Sequence, residues 1–221
     1  MKKYAIIVAG GKGVRMGSAI PKQFLVLGGK PLLMHTVDAF KHADSSIELI
    51  LVLPSDQTDH WKSLVAEYNF DTFHTVVEGG ETRFDSVKNG LGHIPSDGVV
   101  AIHDGVRPLV PKSVIVASFE YANHHGNAIA SVRLKESIRE MTNEGNRSVD
   151  RENYRLIQTP QTFQVSLIKR AYDSATSNDF TDDAGVLEKT GKKIHLIDGH
   201  YGNIKVTTPE DLVFAETMLG K

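Results

Sequence analysis

The chain has 221 residues, of which 40% are hydrophobic and 24% are charged, and its formal net charge is −2 at pH 7. These values predict one soluble domain with a full core, and the charge gives no reason to expect nucleic acid or a membrane as a partner. The absence of cysteine excludes disulfides, thiolate metal sites and cysteine nucleophiles. Because no apolar stretch approaches the roughly 18 residues of a membrane span, and the N-terminal one is too short for a signal sequence, we expect a cytoplasmic protein.

A short apolar run, residues 4–8, predicts a buried parallel strand that leads directly into a glycine-rich loop. Glycines let the backbone turn sharply and leave main-chain N–H groups uncovered, and such groups suit phosphate oxygens. Two cations, Arg15 and Lys22, flank the loop, and this combination is suited to a triphosphate. The glycines of the loop are Gly10, Gly11 and Gly13.

Two other phosphate-binding motifs fit the loop less well. It is not a Walker A loop, because no Gly-Lys-Ser/Thr closes it, and it is a poor dinucleotide fingerprint, because Met16 stands where the third glycine should be. A simple glycine turn after a strand remains an alternative for the glycines alone. Arg15, Lys22 and the distal segments favour the phosphate site.

Strand and helix patterns alternate over the next hundred residues, which predicts a mostly parallel sheet with helices on both faces. The helices are predicted at residues 31–42, 59–68, 83–91 and 111–123. The strands that alternate with them are predicted at residues 48–53, 72–77, 99–102 and 127–132.

Residues 133–158 interrupt this alternation, because charges are dense there and no long apolar face forms. Residues 137–141 and 147–151 are predicted to be the arms of a hairpin. Composition alone leaves open whether this insertion is a solvated excursion or reaches onto a partner.

The alternating pattern returns in the C-terminal third of the chain. Helices are predicted at residues 165–174, after a cap at residues 181–183, and after the cap residue Thr208, where Pro209 takes the first helical position. The two strands predicted in this part are residues 194–197 and 203–206.

Polar segments follow three of the predicted strands, at the edge where an open parallel sheet binds ligands. Besides the glycine loop, they are residues 79–86 and residues 103–108. Gly80, Glu81 and Ser86 offer donors and acceptors that suit a nucleobase edge, and residues 103–108 include Asp104 and Arg107, which suit a metal or sugar and a phosphate. Each of these residues alone also fits a local ion pair or helix cap, but their joint placement indicates one site.

Motifs from end to end of the chain resemble those of the 2-C-methyl-D-erythritol 4-phosphate cytidylyltransferase family, of the non-mevalonate isoprenoid pathway. The matching stretches are Ala9-Gly-Gly-x-Gly-x-Arg-Met16, Pro21-Lys-Gln23, Gly79-Gly-Glu-x-Arg83 with Asp85-Ser86, His103-Asp-x-x-Arg-Pro108, Asp150-Arg151, Thr159-Pro-Gln161, Thr181-Asp182 and Asn203-Ile-Lys-Val-Thr207. The resemblance implies an α/β, Rossmann-like nucleotidyltransferase fold over residues 1–221, with residues 133–158 as an inserted dimerisation arm. It also implies transfer of a cytidylyl group from CTP to a sugar-alcohol phosphate, with Mg²⁺ as cofactor and a homodimer as the assembly.

The resemblance also implies roles for individual residues. Arg15 and Lys22 would be catalytic and would stabilise charge on the α-phosphate of CTP. The residues implied in nucleotide binding are Ala9, Gly10, Gly11, Gly13, Gly80, Glu81, Ser86, Asp104 and Arg107. The residues implied in binding the sugar-alcohol phosphate are Ser137, Arg151, Thr181 and Lys205. By the resemblance, Ser137 and Arg151 would serve the neighbouring subunit's site. The metal ligand that we expect, from the chemistry of the residues themselves, is Asp104.

Three alternatives remain at this point. Ribitol-5-phosphate cytidylyltransferases share the glycine loop and the Asn203-Ile-Lys-Val-Thr207 stretch, although the insertion with Asp150-Arg151 favours the isoprenoid enzyme. A sugar-1-phosphate nucleotidyltransferase fits less well, because the short C-terminal part leaves little room for its extra elements. A non-catalytic CTP sensor is an alternative of another class, but it has no need for the transition-state charge that Arg15 and Lys22 supply.

Overall fold

The computed structural model describes residues 1–10, 20–95 and 97–220, and within these ranges seven strands form one sheet and two strand pairs form small antiparallel sheets. In chain order the strands are β1 (Lys3–Val8), β2 (Val26–Leu27), β3 (Lys30–Pro31), β4 (Glu48–Leu53), β5 (Thr75–Glu78), β6 (Val99–Asp104), β7 (Asn127–Arg133), β8 (Arg139–Thr142), β9 (Gly145–Ser148), β10 (Arg155–Gln164) and β11 (Leu196–Asp198). The α-helices are α1 (Leu32–Ala43), α2 (Thr58–Glu67), α3 (Arg83–Gly92), α4 (Lys112–His125), α5 (Val165–Ser174), α6 (Asp183–Glu188) and α7 (Pro209–Leu219). None of the helices in these ranges combines the length and the apolar character needed to cross a membrane.

The main sheet has the strand order β11-β7-β10-β6-β1-β4-β5, and β10 is antiparallel to both of its neighbours. The other neighbouring pairs are parallel. Successive side chains of β1 point to opposite faces, so Ala5 and Ile7 join the core under α1, α2 and α4, whereas Tyr4 and Ile6 join the core under α3, α5 and α6. Helices therefore cover both faces, and the predicted α/β class is confirmed.

Two details of the C-terminal half differ from the sequence prediction. The sequence analysis missed strand β10, because Pro160 and the polar residues around it hide the alternation of apolar and polar residues that is typical of a strand. In the structure, the pairing of β10 with β7 shifts register between Ile157 and Gln161. The strand predicted at residues 203–206 is wrong, since that segment has no strand assignment within the described part of the chain. It is held instead by isolated bonds, such as the 2.9 Å bond from the Val206 N–H to the Val106 carbonyl.

The insertion forms a separate hairpin, in which β8 and β9 pair through a two-residue turn at residues 143–144. All eight strand residues of the hairpin are exposed. Cross-strand polar contacts join Arg147 to Glu140 and Arg139 to Asn146. The predicted hairpin is therefore present, with shorter arms than expected.

Trp61, the only tryptophan of the chain, is buried and donates its indole N–H to Nε2 of His74 at 2.9 Å. Because Nε2 accepts, Nδ1 carries the proton of the neutral ring and donates to the Thr72 carbonyl at 2.7 Å. Burial lowers the pKa of His74, and the hydrogen bond to Thr72 offsets this only in part.

We expect the free energy of unfolding to fall as the pH decreases below about 6.5, the usual histidine pKa. At such pH values His74 binds a proton in the unfolded chain but not in the folded one, because its pKa is lower in the folded state. Urea unfolding, followed by Trp61 fluorescence between about pH 5.5 and 7.5, measures this dependence. His74→Gln should make it shallower, whereas His42→Gln, a substitution at an exposed position, should leave it unchanged. Equal pH dependence in His74→Gln and the wild type would contradict the assignment.

Candidate active site

Two adjoining cavities lie at the carboxyl ends of the parallel strands, with volumes of about 300 Å³ and 290 Å³. The first, which we call the loop cavity, is lined by Ala9, Gly10, Lys22, Gly80, Glu81 and Ser86. The second, which we call the β10 cavity, is lined by Arg107, Gln158, Thr159, Gln161, Thr181 and Asp182. Both cavities also share Arg83, Asp104 and Lys205. The two cavities therefore join at these three charged side chains.

Most of the predicted site residues line these cavities. Ser137 and Arg151 lie elsewhere, beside the exposed hairpin, where a guanidinium N–H of Arg151 donates to the Lys135 carbonyl. The remaining predicted residues, Gly11, Gly13 and Arg15, lie outside the described residues.

The wall of the loop cavity is a tight turn that precedes α3. Thr82 caps the helix, its hydroxyl accepts from the Asp85 N–H, and the Asp85 carboxylate accepts from the Thr82 N–H in return. The buried Ser86 hydroxyl accepts from the Gly80 N–H at 3.1 Å and donates to the Thr82 carbonyl at 2.9 Å. The single hydroxyl proton of Ser86 is thus committed to the turn, which leaves Ser86 as an acceptor toward the cavity.

Gly80 cannot gain a side chain without moving this turn, because an added Cβ would lie 2.3 Å from Cβ of Asp85. Strain of about 1–3 kcal/mol is typical of such overpacking, so we expect Gly80→Ala to raise the KM for the nucleotide implied by the resemblance about tenfold. Steady-state kinetics at varied nucleotide concentration measures this change. Gly92→Ala is the matched control, because a Cβ there meets nothing within 4 Å, and a rise of similar size in that variant would contradict the explanation.

Asp104 ends β6 and is only 7% exposed at the junction of the cavities. Its Oδ2 lies 3.1 Å from Nζ of Lys205 and 3.2 Å from Nε of Arg107, and its Oδ1 lies 3.9 Å from Nε of Arg83. Burial alone raises the pKa of Asp104, but Lys205, Arg83 and Arg107 together outweigh it and hold the pKa below its usual range. The carboxylate is therefore ionised at neutral pH.

The position of Arg83 is set by a buried network that the sequence analysis did not single out. Its guanidinium forms two parallel bonds, of 2.9 and 2.6 Å, with the carboxylate of the fully buried Asp183. Asp183 also accepts from the Tyr172 hydroxyl at 2.6 Å, and burial together with this carboxylate raises the pKa of Tyr172. The sequence offered one indication of this network, since Arg83 ends one of the stretches that match the family and Asp183 directly follows another. That the two residues form an ion pair is seen only in the fold.

The Mg²⁺ expected from the resemblance can be tested against these contacts. Among the described residues, no cluster of three or more His, Cys, Asp or Glu side chains is suited to hold a metal ion. Asp104 Oδ2 already faces Lys205 and Arg107, whereas the one ion pair of Oδ1 among the described residues is the longer contact with Arg83. One such oxygen fits a Mg²⁺ ion that is bound mainly by substrate phosphates and water, which is the usual arrangement in nucleotide enzymes.

Comparisons with known proteins agree over the full length of the chain. Residues 4–221 match the family described as 2-C-methyl-D-erythritol 4-phosphate cytidylyltransferase. A relative of that name from Bacteroides thetaiotaomicron is 50% identical over 219 residues, covering 99% of this chain and 100% of the relative.

Solved structures give the same result. The 4-diphosphocytidyl-2C-methyl-D-erythritol synthase of Anaerococcus prevotii has a TM-score of 0.84 at 29% identity, covering 99% of this chain and 96% of the other. The 2-C-methyl-D-erythritol 4-phosphate cytidylyltransferase of Thermus thermophilus has a TM-score of 0.82 at 30% identity, with both chains fully covered. The chain belongs to the 2-C-methyl-D-erythritol 4-phosphate cytidylyltransferase family and has its nucleotidyltransferase fold.

Proposed function

We propose that the chain transfers the cytidylyl group of CTP to 2-C-methyl-D-erythritol 4-phosphate, giving 4-diphosphocytidyl-2-C-methyl-D-erythritol and pyrophosphate. The two cavities that meet at Asp104 and Lys205 carry this proposal, because one can take the nucleotide and the other the acceptor. Ala9, Gly10, Gly80, Glu81 and Ser86 then bind CTP in the loop cavity, with Gly11 and Gly13 in the same loop. Thr181 and Lys205 bind the acceptor in the β10 cavity.

The chemistry is an in-line displacement at the α-phosphorus of CTP. A phosphate oxygen of the acceptor forms the new P–O bond, the bond to the β-phosphate breaks, and pyrophosphate leaves with the electron pair. Negative charge grows on the leaving group and on the equatorial oxygens, where Arg15 and Lys22 stabilise it. When bound, Mg²⁺ would be held by Asp104 together with the substrate phosphates, and it would supply further positive charge.

The two cavities share cations as well as Asp104. Lys205 lies where it can contact phosphate groups of both substrates, and Asp104 keeps its ammonium group in that place through the 3.1 Å contact. Arg107 donates to Asp104 and to the Asn203 carbonyl at 2.8 Å, and it lines the β10 cavity. The proposal therefore places Arg107 beside the acceptor, whereas the resemblance assigned it to the nucleotide. This arrangement supports one reaction centre between two binding sites.

Pyrophosphate release with CTP and Mg²⁺ tests the proposal when methylerythritol 4-phosphate and ribitol 5-phosphate are compared as acceptors. Release with the first alone supports it. Release with the second alone would assign the chain to wall-polymer synthesis with the same site. CTP binding without release for either acceptor would instead favour a CTP sensor. CTP is a cytoplasmic metabolite, which supports a cytoplasmic location for the reaction.

The hairpin of β8 and β9, within residues 133–158, serves in this proposal as the arm of a homodimer. Its exposed strands and the exposed positions of Ser137 and Arg151 support the idea that these two residues act in the partner's β10 cavity. Sedimentation at equilibrium measures the oligomeric state.

Mixing two inactive variants tests whether the arm is shared between subunits. We expect Lys22→Ala and Arg151→Ala to be nearly inactive alone, because each lacks one cation in every site. If the arm is shared, one of the two sites in each mixed dimer has both Lys22 and Arg151. Random exchange then restores up to about a quarter of the wild-type rate, because only part of the dimers are mixed. The subunits are exchanged by dilution and reconcentration before pyrophosphate release is measured. A mixture no more active than its components, with exchange verified by tagged subunits, would place Arg151 in its own subunit's site.

A further inference from the structure

The hydrogen-bond ladder between β6 and β10 ends before Asp104 is reached. The last paired residues are Ile102 and Gln161, and β10 shifts its register in the residues just before Gln161. The Asp104 N–H donates to Oγ1 of Thr159 at 3.1 Å, so a side-chain hydroxyl takes the place of a ladder carbonyl. The orientation of that hydroxyl therefore affects the peptide that carries the Asp104 carboxylate.

The orientation of the hydroxyl is determined by the fully buried His103. Nδ1 of His103 lies 3.0 Å from Oγ1 of Thr159, and Nε2 lies 3.3 Å from the Arg107 carbonyl oxygen. A carbonyl oxygen can only accept, so Nε2 of the neutral ring carries the proton and Nδ1 accepts from the Thr159 hydroxyl.

The same groups close a ring of contacts around the reaction centre. Arg107 donates through Nη1 to the Asn203 carbonyl at 2.8 Å, and Nδ2 of Asn203 donates to the Thr159 carbonyl at 2.8 Å. Arg107 also donates through Nε to Asp104. The imidazole thus contacts two members of the ring, the Thr159 hydroxyl and the Arg107 carbonyl.

We propose that His103 and Thr159 are positioning residues for Asp104, whose carboxylate they hold between Lys205 and Arg107 where the two cavities meet. This inference rests on the proposed function, because it takes the junction of the cavities as the reaction centre. Neither residue needs to touch a reacting atom. Their effect is to keep the Asp104 peptide in one orientation. The Thr159 hydroxyl donates its proton to Nδ1 of His103, and its oxygen is therefore turned to accept from the Asp104 N–H.

Two pairs of variants test the relay, by which we mean the hydrogen bonds that join His103 to the Thr159 hydroxyl and that hydroxyl to the Asp104 N–H. Thr159→Val removes the hydroxyl and keeps the shape, so we expect kcat/KM to fall at least tenfold, whereas Thr159→Ser should recover most of the activity. At position 103, asparagine places a polar atom near the former Nδ1 and glutamine places one near the former Nε2. We therefore expect His103→Asn to retain more activity than His103→Gln. Thr217→Val, which removes an exposed hydroxyl on α7, is the matched control.

Hydrogen exchange of the Asp104 amide provides a readout that does not depend on turnover. We expect the Asp104 amide to exchange faster in Thr159→Val than in Thr159→Ser. The NMR chemical shifts of the His103 ring nitrogens should be those of the tautomer that is protonated on Nε2. Equal activity and equal exchange in Thr159→Val and the wild type would overturn the inference, as would equal losses in the valine and serine variants. If the wild type released no pyrophosphate, the proposed function would fail, and the exchange result would still decide whether Thr159 holds the peptide.

Discussion

Lys22→Ala is expected to lower kcat by about 10²–10³, the loss that follows removal of one preorganised donor at a developing charge. Lys22 begins a short 3-10 turn and lines the loop cavity. The turn is anchored by the buried Gln23, whose Nε2 donates to the Ala9 carbonyl at 2.9 Å and to Oε1 of Gln57 at 2.6 Å. The ammonium group is thus attached to a rigid support at the end of β1, which is the condition for stabilising charge without reorganisation.

Stopped-flow or steady-state pyrophosphate release at saturating CTP measures this loss. The affinity for CTP, measured by calorimetry, should change much less than kcat, because the interaction strengthens in the transition state. Lys62→Ala makes the same chemical change at an exposed position paired with Asp59, and it should have no effect. An unchanged kcat in Lys22→Ala would remove Lys22 from the catalytic role.

Asp104→Asn is expected to reduce both activity and stability. The substitution keeps the shape of the side chain but leaves the cationic groups of Lys205, Arg107 and Arg83 facing a neutral amide. Breaking a buried ion pair in this way costs about 3–5 kcal/mol, and kcat/KM should fall by at least about 10² because Lys205 loses the contact that holds it between the substrates. Urea unfolding and steady-state kinetics measure the two effects.

The pH dependence of this variant provides an internal check. The folded pKa of Asp104 lies below its unfolded value of about 3.9, so its stabilising contribution is complete above that pH and decreases as the pH falls further. The stability difference between wild type and Asp104→Asn should therefore be constant near neutral pH and shrink in acid. Asp59→Asn, at an exposed carboxylate paired with Lys62, should cost no more than about 1 kcal/mol. A loss of similar size at both positions would contradict the ion-pair explanation.

The parts of the fold that were predictable are those with a strong local pattern. Residues 48–53 and 165–174 were predicted with the observed bounds, because an unbroken apolar run and a helical period are properties of the segment itself. The capping box at Thr208 and Asp211 was also predicted correctly from its spacing. Strand β10 was not, because it inserts antiparallel between two distant strands and its pattern is interrupted around Pro160.

The candidate site was predictable only in part. The ends of β1, β5 and β6 were expected to meet, because the carboxyl ends of parallel strands share one edge of the sheet. The ion pair of Arg83 with Asp183 and the relay from His103 to Thr159 were not expected, since each joins residues that are far apart in the sequence. Such contacts depend on tertiary packing, which no local period or spacing reports.

The interior position of β10 in the sheet has a consequence for synthesis of the chain on the ribosome. Strands β6 and β7 leave the ribosome before β10, yet in the finished sheet β10 lies between them. Until residues 155–164 have emerged, a nascent chain holds two strand edges whose final partner does not yet exist, and such edges promote unwanted pairing. The joining of β6 to β7 therefore waits for the segment that also brings Thr159 to Asp104, so a chain that has not yet reached β10 has neither a connected sheet nor a formed junction between its cavities.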